Sequence, residues 1–436
     1  MAERSPLIDR LEGAPLIRFH YVLLAASCLT YLFAAMNTVL IAPVLDLIAK
    51  EFSLGTLKLG WLISSLYLGM LLGALSWGRL ADMIGRKRAI ILTTAIHSVF
   101  TGSSALVKDF AAFLILRFLA GYGLGGVLPL PGVYISEYVP APYRGRFVGT
   151  VETSWVWGAL LAAGLGLLIA PGYGWRRLFL TAYVPIALIP FLALFVPESI
   201  RYLEERGRRE EAEEILRRVG LLKGAVEAKE GTAQVRRASF KELFSPAYLK
   251  RTILLWILWF VLVYTYHGVF IWLKGFFVKT GVVKEPLLFY FIATLAQIPG
   301  YYSATFLLDR VGRLPVLLIY LTMAGVACFF FNFAHDWLSV LLVSCVIGFF
   351  NLGAWAGLYT YTPELYPTRI RGLGSGTSAS FGRLGGFLQG PLTGHILQLG
   401  LPFTFLKFSL LHLAGALALI TLGVETKGRV LEEISK

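Results

Sequence analysis

Long apolar stretches separated by short polar ones make up most of this chain. Runs of roughly 20 mostly apolar residues, the length that crosses a hydrocarbon core as a helix, begin near Phe19, Leu57, Ala89, Phe110, Phe147, Leu178, Thr252, Leu287, Pro315, Trp337, Leu373 and Phe403. A helix satisfies its own backbone hydrogen bonds, which lipid cannot do for it. The pattern therefore predicts an all-α polytopic membrane protein with twelve transmembrane helices. One polar stretch interrupts it, between the sixth and seventh runs. Within it "RYLEERGRREEAEEILRRVG" alternates charge at helical spacing and reads as a solvated helix.

The polar connections repeat. "GRLADMIGRKR" follows the second run and "LLDRVGR" the eighth; "SEYVPAPYRGR" follows the fourth and "PELYPTRIRG" the tenth. A single offset of 227 residues carries Asp82 onto Asp309, Arg86 onto Arg313, Glu137 onto Glu364 and Arg144 onto Arg371. It also carries Glu198 onto Glu425. The chain thus reads as two pseudo-symmetric six-helix halves, 19–196 and 250–424. They are flanked by a cytoplasmic N-terminal segment (1–18), a cytoplasmic linker (197–249) and a cytoplasmic tail (425–436). Duplicated halves enclosing a midplane site are a transporter architecture. In the loops, a carboxylate beside arginines can form charge-assisted hydrogen bonds. Asp82, Arg86, Glu137 and Arg144, with their copies Asp309, Arg313, Glu364 and Arg371, are expected to gate by latching the two halves together at the helix ends.

Composition agrees. Hydrophobic residues make up 57% and charged residues 15%, against about 25% charged in a soluble domain. The net charge of +14 does not indicate nucleic acid, because the basic residues lie in short clusters between apolar runs. Of the 40 lysines and arginines, 29 fall in the segments on the side of both termini and 9 on the other side. The positive-inside rule then places both termini in the cytoplasm and the protein, multi-pass, in the plasma membrane. The three cysteines have no metal-ligand spacing, and the N-terminus carries no evident removable signal peptide. The glycines of "GYGLGG" lie inside an apolar run, where small residues serve helix packing rather than a dinucleotide. No cofactor, metal or enzyme activity is expected.

The remaining two basic residues, Arg117 and Arg383, lie within spans. Arg383 is twelve residues beyond Arg371, about 18 Å deep at 1.5 Å per residue. An arginine at that depth must face protein or water. It is the candidate counter-charge for an anionic substrate. Glu152, eight residues past Arg144, is the candidate carboxylate beside it; a purely structural Arg383–Glu152 pair is the plainer alternative. Arg117 suits a structural or coupling role. Asn37, Trp155, Tyr264, His267, Gln297, Asn351, Trp355 and Tyr359 complete the expected substrate-binding set, whose aromatics, with Trp157 and Tyr266 of spans 5 and 7, suit a flat ring. Each of them alone could be ordinary packing, and His267 reads most simply as a hydrogen-bonded interior histidine.

On these residues the chain resembles the major facilitator superfamily over nearly its whole length. Gly78–Lys87, in the form G-x-x-x-D-x-x-G-R-K, and its second copy carry the likeness. Within the superfamily it is most similar to bacterial niacin (nicotinate) transporters, through "TLAQIPGYYSA", "FFNLGAWAGLYTYTPELYPTRIRGLGSGTSASFGRLGG" and "PESIRYL". It is more distantly similar to organic-ion transporters and sugar porters. The resemblance implies an anion-selective role for Arg383 and a central position for Glu152. Acids common in similar transporters are replaced here by Ala34 and Asn37 in span 1 and by Val127 in span 4. The combined expectation is a monomeric secondary transporter that moves a small organic anion, nicotinate first, by alternating access, with a proton as candidate coupling ion. Its rivals are a carrier of another monocarboxylate or of a sugar, and a non-transporting sensor on the same fold.

Overall fold

The computed structural model describes residues 6–222 and 239–428, so the middle of the linker and the end of the tail lie outside it. The described residues form helices and 3-10 turns joined by short connections. Span 1 is Arg18–Val39, span 2 Thr56–Ile84 and span 3 Arg86–Ser103. Span 4 is Phe110–Val127, prolonged by Leu130–Tyr138 past a proline. Spans 5 and 6 share the long helix Ala141–Leu180, which breaks at Gly174. Span 6 continues through Thr181–Ala187 and Leu188–Phe195.

The second half follows the same plan. Span 7 is Leu249–Phe270, extended by Leu273–Thr280. Span 8 is split at Ala296 into Pro286–Leu295 and Gln297–Val311. Span 9 is Arg313–Phe330, span 10 Trp337–Glu364, span 11 Thr368–Leu399 and span 12 Leu401–Leu422. Eight helical segments among the described residues are long and apolar enough to cross a membrane by length and composition alone. The others fall short for local reasons: the merged fifth and sixth spans count once, span 8 is interrupted, span 3 is short and opens on Arg86, Lys87 and Arg88, and span 11 is rich in glycine and serine.

Small residues let the helices approach. A Cβ added to Gly121 of span 4 would lie 2.0 Å from the Leu66 carbonyl oxygen of span 2. "GYGLGG" is therefore a packing surface in mid-helix. In the linker, Arg209–Arg218 is the expected solvated helix; Glu213 pairs with Arg209 at 3.1 Å and with Arg217 at 3.3 Å.

The duplicated motifs build one structure twice. Gly85 and Gly312 end spans 2 and 8 at φ +102° and +119°, a region that side chains other than glycine rarely adopt. The chain reverses there and lays Arg86 and Arg313 back over their own half. Arg86 pairs with Asp82 at 2.9 Å and with Glu137 at 3.3 Å. Arg313 pairs with Asp309 at 3.2 Å and with Glu364 at 3.0 Å. The Glu198 carboxylate accepts the Lys87 backbone N–H, and the Glu425 carboxylate accepts those of Arg313 and Leu314. Tyr134 donates to the Pro197 carbonyl and Tyr361 to that of Val424, again 227 apart.

This corrects the expected latch. Every one of these pairs joins helices of the same half, because the tight glycine turn folds each arginine inward. Arg144 likewise pairs with Glu12 of the N-terminal helix Pro6–Glu12 at 2.6 Å, and Glu12 also meets Arg201 at 3.2 Å. Arg371 donates from Nε to the Tyr366 carbonyl at 3.4 Å.

Bonds between the halves lie elsewhere. At mid-depth the Tyr31 and Tyr359 hydroxyls are 3.4 Å apart, and Trp155 Nε1 donates to Tyr266 Oη at 3.0 Å. Towards the face opposite the motif loops, Ser64 Oγ donates to the Phe387 carbonyl, and Lys274 Nζ meets Asp46 Oδ1 at 2.5 Å.

Candidate substrate site

Where the halves meet at mid-depth they enclose a cavity of about 50 Å³, room for a few waters. Tyr31, Tyr67, Met70, Leu128, Glu152 and Trp155 line it from spans 1, 2, 4 and 5. Trp259, Val263, Tyr266, His267, Tyr301, Leu352, Trp355, Tyr359 and Arg383 line it from spans 7, 8, 10 and 11. Each half thus gives the corresponding four helices, as the internal repeat requires.

Six of the expected substrate-binding residues meet here: Glu152, Trp155, His267, Trp355, Tyr359 and Arg383. Four do not line the cavity. Asn37 is buried against span 3, its amide nitrogen 3.0 Å from His97 Nδ1 and 3.4 Å from the Ala182 carbonyl. Asn351 is buried 2.9 Å from His412 Nε2 of span 12. Tyr264 faces Phe260, Phe408 and Lys407 on the far side of span 7. Gln297 stands one layer back and accepts the Tyr266 hydroxyl at 3.0 Å. In each case a second polar group on a neighbouring helix claims the side chain, which a single run of sequence does not reveal.

The cavity gains residues that the sequence reading did not place there. Tyr31 and Tyr67 look like ordinary span aromatics until the helices are packed. Helical spacing offered one signal for Trp259 and Val263: they lie seven and three residues before Tyr266, one of the aromatics expected at the site, on one face of span 7, whereas Trp157 is exposed and does not line the cavity.

Glu152 accepts the Tyr31 hydroxyl of its own half at Oε2, 2.6 Å away, and also interacts with the Tyr359 hydroxyl of the other half. Among the described residues Arg383 has no carboxylate oxygen within 4.0 Å, so the expected structural pair with Glu152 is not formed. Arg383 Nη1 donates to the Ala379 carbonyl of its own helix at 2.9 Å, and its buried Nε has no partner. Arg117 is 1% exposed and away from the cavity, with its guanidinium 5.7 Å from the centre of the Phe179 ring. His267 donates from Nδ1 to the Val263 carbonyl at 2.9 Å, as an interior histidine should, yet its ring also faces the cavity.

A guanidinium with an uncommitted nitrogen, walled by aromatic rings between two duplicated halves, defines a membrane carrier for a small molecule. The chain belongs to the major facilitator superfamily: the family model described as "Sugar (and other) transporter" matches residues 26–436. It is 37% identical over 98% of its length to the niacin transporter NiaP of Acinetobacter baylyi, 99% of which is covered. It is 35% identical over 94% of its length to the putative niacin/nicotinamide transporter NiaP of Bacillus subtilis, with 97% of that protein covered. The fold matches the xylose transporter XylE from E. coli, in a partially occluded inward-open structure, at a TM-score of 0.79 and 18% identity. That match covers 95% of this chain and all of the other.

Proposed function

We propose that this transporter moves nicotinate, or a closely similar aromatic monocarboxylate, across the cytoplasmic membrane by alternating access. One observation carries the reading: Arg383, deep between the halves, has no carboxylate within ion-pair distance among the described residues. A half-buried guanidinium at this depth without a counter-charge is costly. An arriving carboxylate supplies the missing charge, and the planar guanidinium can hold it through two parallel hydrogen bonds. Tyr31, Trp155, Trp259, Trp355 and Tyr359 then offer faces and edges to a flat ring. The names of the two niacin-transporter relatives support this choice of substrate. The mostly apolar, ring-lined wall favours it over a sugar, whose hydroxyls would need a denser set of polar partners.

In this reading residues 19–196 and 250–424 are the moving bodies, linked by 197–249, and both termini face the cytoplasm. The motif clusters of Asp82, Arg86 and Glu137, and of Asp309, Arg313 and Glu364, keep each half rigid while it rocks. The protein works as a monomer, with a proton as coupling ion.

The test uses purified protein in proteoliposomes. Wild type should take up labelled nicotinate, and unlabelled nicotinate should compete far better than nicotinamide, its uncharged amide. Arg383→Lys should bind more weakly, since it keeps the charge and loses the fork. Arg383→Ala should fold and lose most of the preference for the acid. Equal nicotinate binding by wild type and Arg383→Ala would make the arginine structural and remove the anion reading. Nicotinate binding without uptake would identify a sensor.

A further inference from the structure

The cavity's polar groups divide into those already paired and those left over. Of its three tryptophans, Trp155 donates its N–H to Tyr266 at 3.0 Å and Trp259 donates its N–H to Thr362 Oγ1 at 3.0 Å. Trp355 does not: its Nε1 is buried without a partner, and the residue is 7% exposed. Three other cavity atoms are buried and unpartnered: Arg383 Nε, Tyr67 Oη and His267 Nε2. Buried polar atoms in a folded protein are nearly always satisfied, so several converging on one cavity describe the ligand that satisfies them.

Their positions give that ligand two ends. Gly386, three residues past Arg383 and on the same helix face, packs on the Tyr67 ring: an added Cβ there would lie 2.3 Å from Tyr67 Cδ1. The Tyr67 and His267 rings are 5.0 Å apart. Tyr67 and Arg383 therefore share one end, where donors suit a carboxylate. His267 has spent its Nδ1 proton on the Val263 carbonyl, so in the neutral ring Nε2 is an acceptor and has nothing to give a lone pair. Trp355 lies beyond Tyr266, whose ring is 5.0 Å from His267 and 6.3 Å from Trp355. Trp259 at 5.6 Å and Tyr359 at 5.5 Å hold the Trp355 indole in place. The second end thus presents one fixed N–H donor, and an indole can only donate.

We infer that Trp355 is a specificity-determining residue: its indole N–H recognises an acceptor atom in the substrate's ring, so the site selects heteroaromatic carboxylates over benzoate. This rests on the anion reading proposed above. Nicotinate has the required groups, a carboxylate for Arg383 and a ring nitrogen with a free lone pair for Trp355. Benzoate matches it in size and charge but leaves the N–H buried and unpaired. A neutral hydrogen bond made by one ligand and left unmade by the other separates them by roughly 10–100-fold in affinity.

The experiment measures nicotinate and benzoate affinities by competition against labelled nicotinate, and directly by thermal shift, for wild type and for Trp355→Phe. Phenylalanine keeps an aromatic ring at the position and removes the N–H together with the indole's second ring, so the readout is the ratio of the two affinities. Wild type should prefer nicotinate by roughly 10–100-fold. Trp355→Phe should lose most of that preference, with nicotinate affinity falling roughly 10-fold or more further than benzoate affinity. Equal affinity of wild type for the two acids, or an equal loss for both in Trp355→Phe, would overturn the inference while leaving the anion reading intact. If wild type binds neither acid, the anion reading falls and takes this inference with it. Trp77→Phe, a buried span 2 tryptophan outside the cavity whose N–H is committed to the Tyr122 carbonyl at 3.1 Å, is the control that should leave the nicotinate-to-benzoate ratio unchanged.

Discussion

Glu152 lies within the cavity, with Tyr31 as hydrogen-bond donor to its carboxylate and no arginine in ion-pair range among the described residues. A carboxylate so placed can change protonation as substrate comes and goes. Span 1 offers no rival, because Arg18–Val39 contains no carboxylate. Uphill uptake driven by an imposed pH gradient should therefore be lost in Glu152→Gln, while exchange of labelled for unlabelled nicotinate at equal pH should continue. The paired assay in one proteoliposome preparation checks this, and an unchanged response to the gradient would exclude Glu152 as the coupling group.

At the scale of elements, the motif turns are the most constrained pieces of the molecule. A Cβ on Gly312 would lie 2.7 Å from a Glu425 carboxylate oxygen. The cap therefore needs both the left-handed backbone and the missing side chain. Burial pushes the Glu425 carboxyl up, but backbone N–H groups of Lys427, Arg313, Leu314 and Thr426 outweigh it and hold the group below its ordinary value. A carboxyl lowered on folding stabilises the protein above its unfolded pKa, and that contribution disappears as pH falls through the folded value. Glu425→Gln should lower stability by roughly 0.5–1.5 kcal/mol at neutral pH, the smaller end because the carboxylate is partly solvated. The deficit relative to wild type should shrink as the pH is brought below the ordinary carboxylate range. Melting curves of the two detergent-purified proteins across pH 3–7 (about where carboxylates titrate) measure this.

At the scale of the whole molecule, the halves touch on the face opposite the motif loops. Gly60 and Gly390 bring spans 2 and 11 into backbone contact there, with an added Cβ on Gly60 only 2.4 Å from the Gly390 carbonyl oxygen. Lys274, its side chain 8% exposed, meets Asp46, 38% exposed, across the same seam. Removing the carboxylate leaves the buried lysine uncompensated. Asp46→Asn should therefore shift the population towards opening on this face. A cysteine at Ser64, which is 1% exposed at the seam, should then label several-fold faster with an impermeant maleimide added outside whole cells. Unchanged labelling would mean that glycine packing alone holds the seam. Labelling only from the cytoplasmic side would reverse the proposed orientation.

The sequence by itself determined the twelve spans, the two halves and the depth of Arg383 and Glu152. These follow from one-dimensional quantities: run length against bilayer thickness, a fixed offset between copies, and rise per residue. It also marked the motif acids and arginines as paired, since such groups rarely recur together without a function. Which partner each takes was decided in three dimensions. Arg86 turns back on its own half because of the backbone at Gly85, and Arg144 finds Glu12, 132 residues away. Asn37 and Asn351 are drawn out of the site by histidines 60 and 61 residues distant. Trp155, Trp259 and Trp355 are chemically identical along the chain. Only packing of spans 5, 7 and 10 decides that two of their N–H groups are spent and one remains, because hydrogen-bond satisfaction belongs to neighbours brought together from different helices.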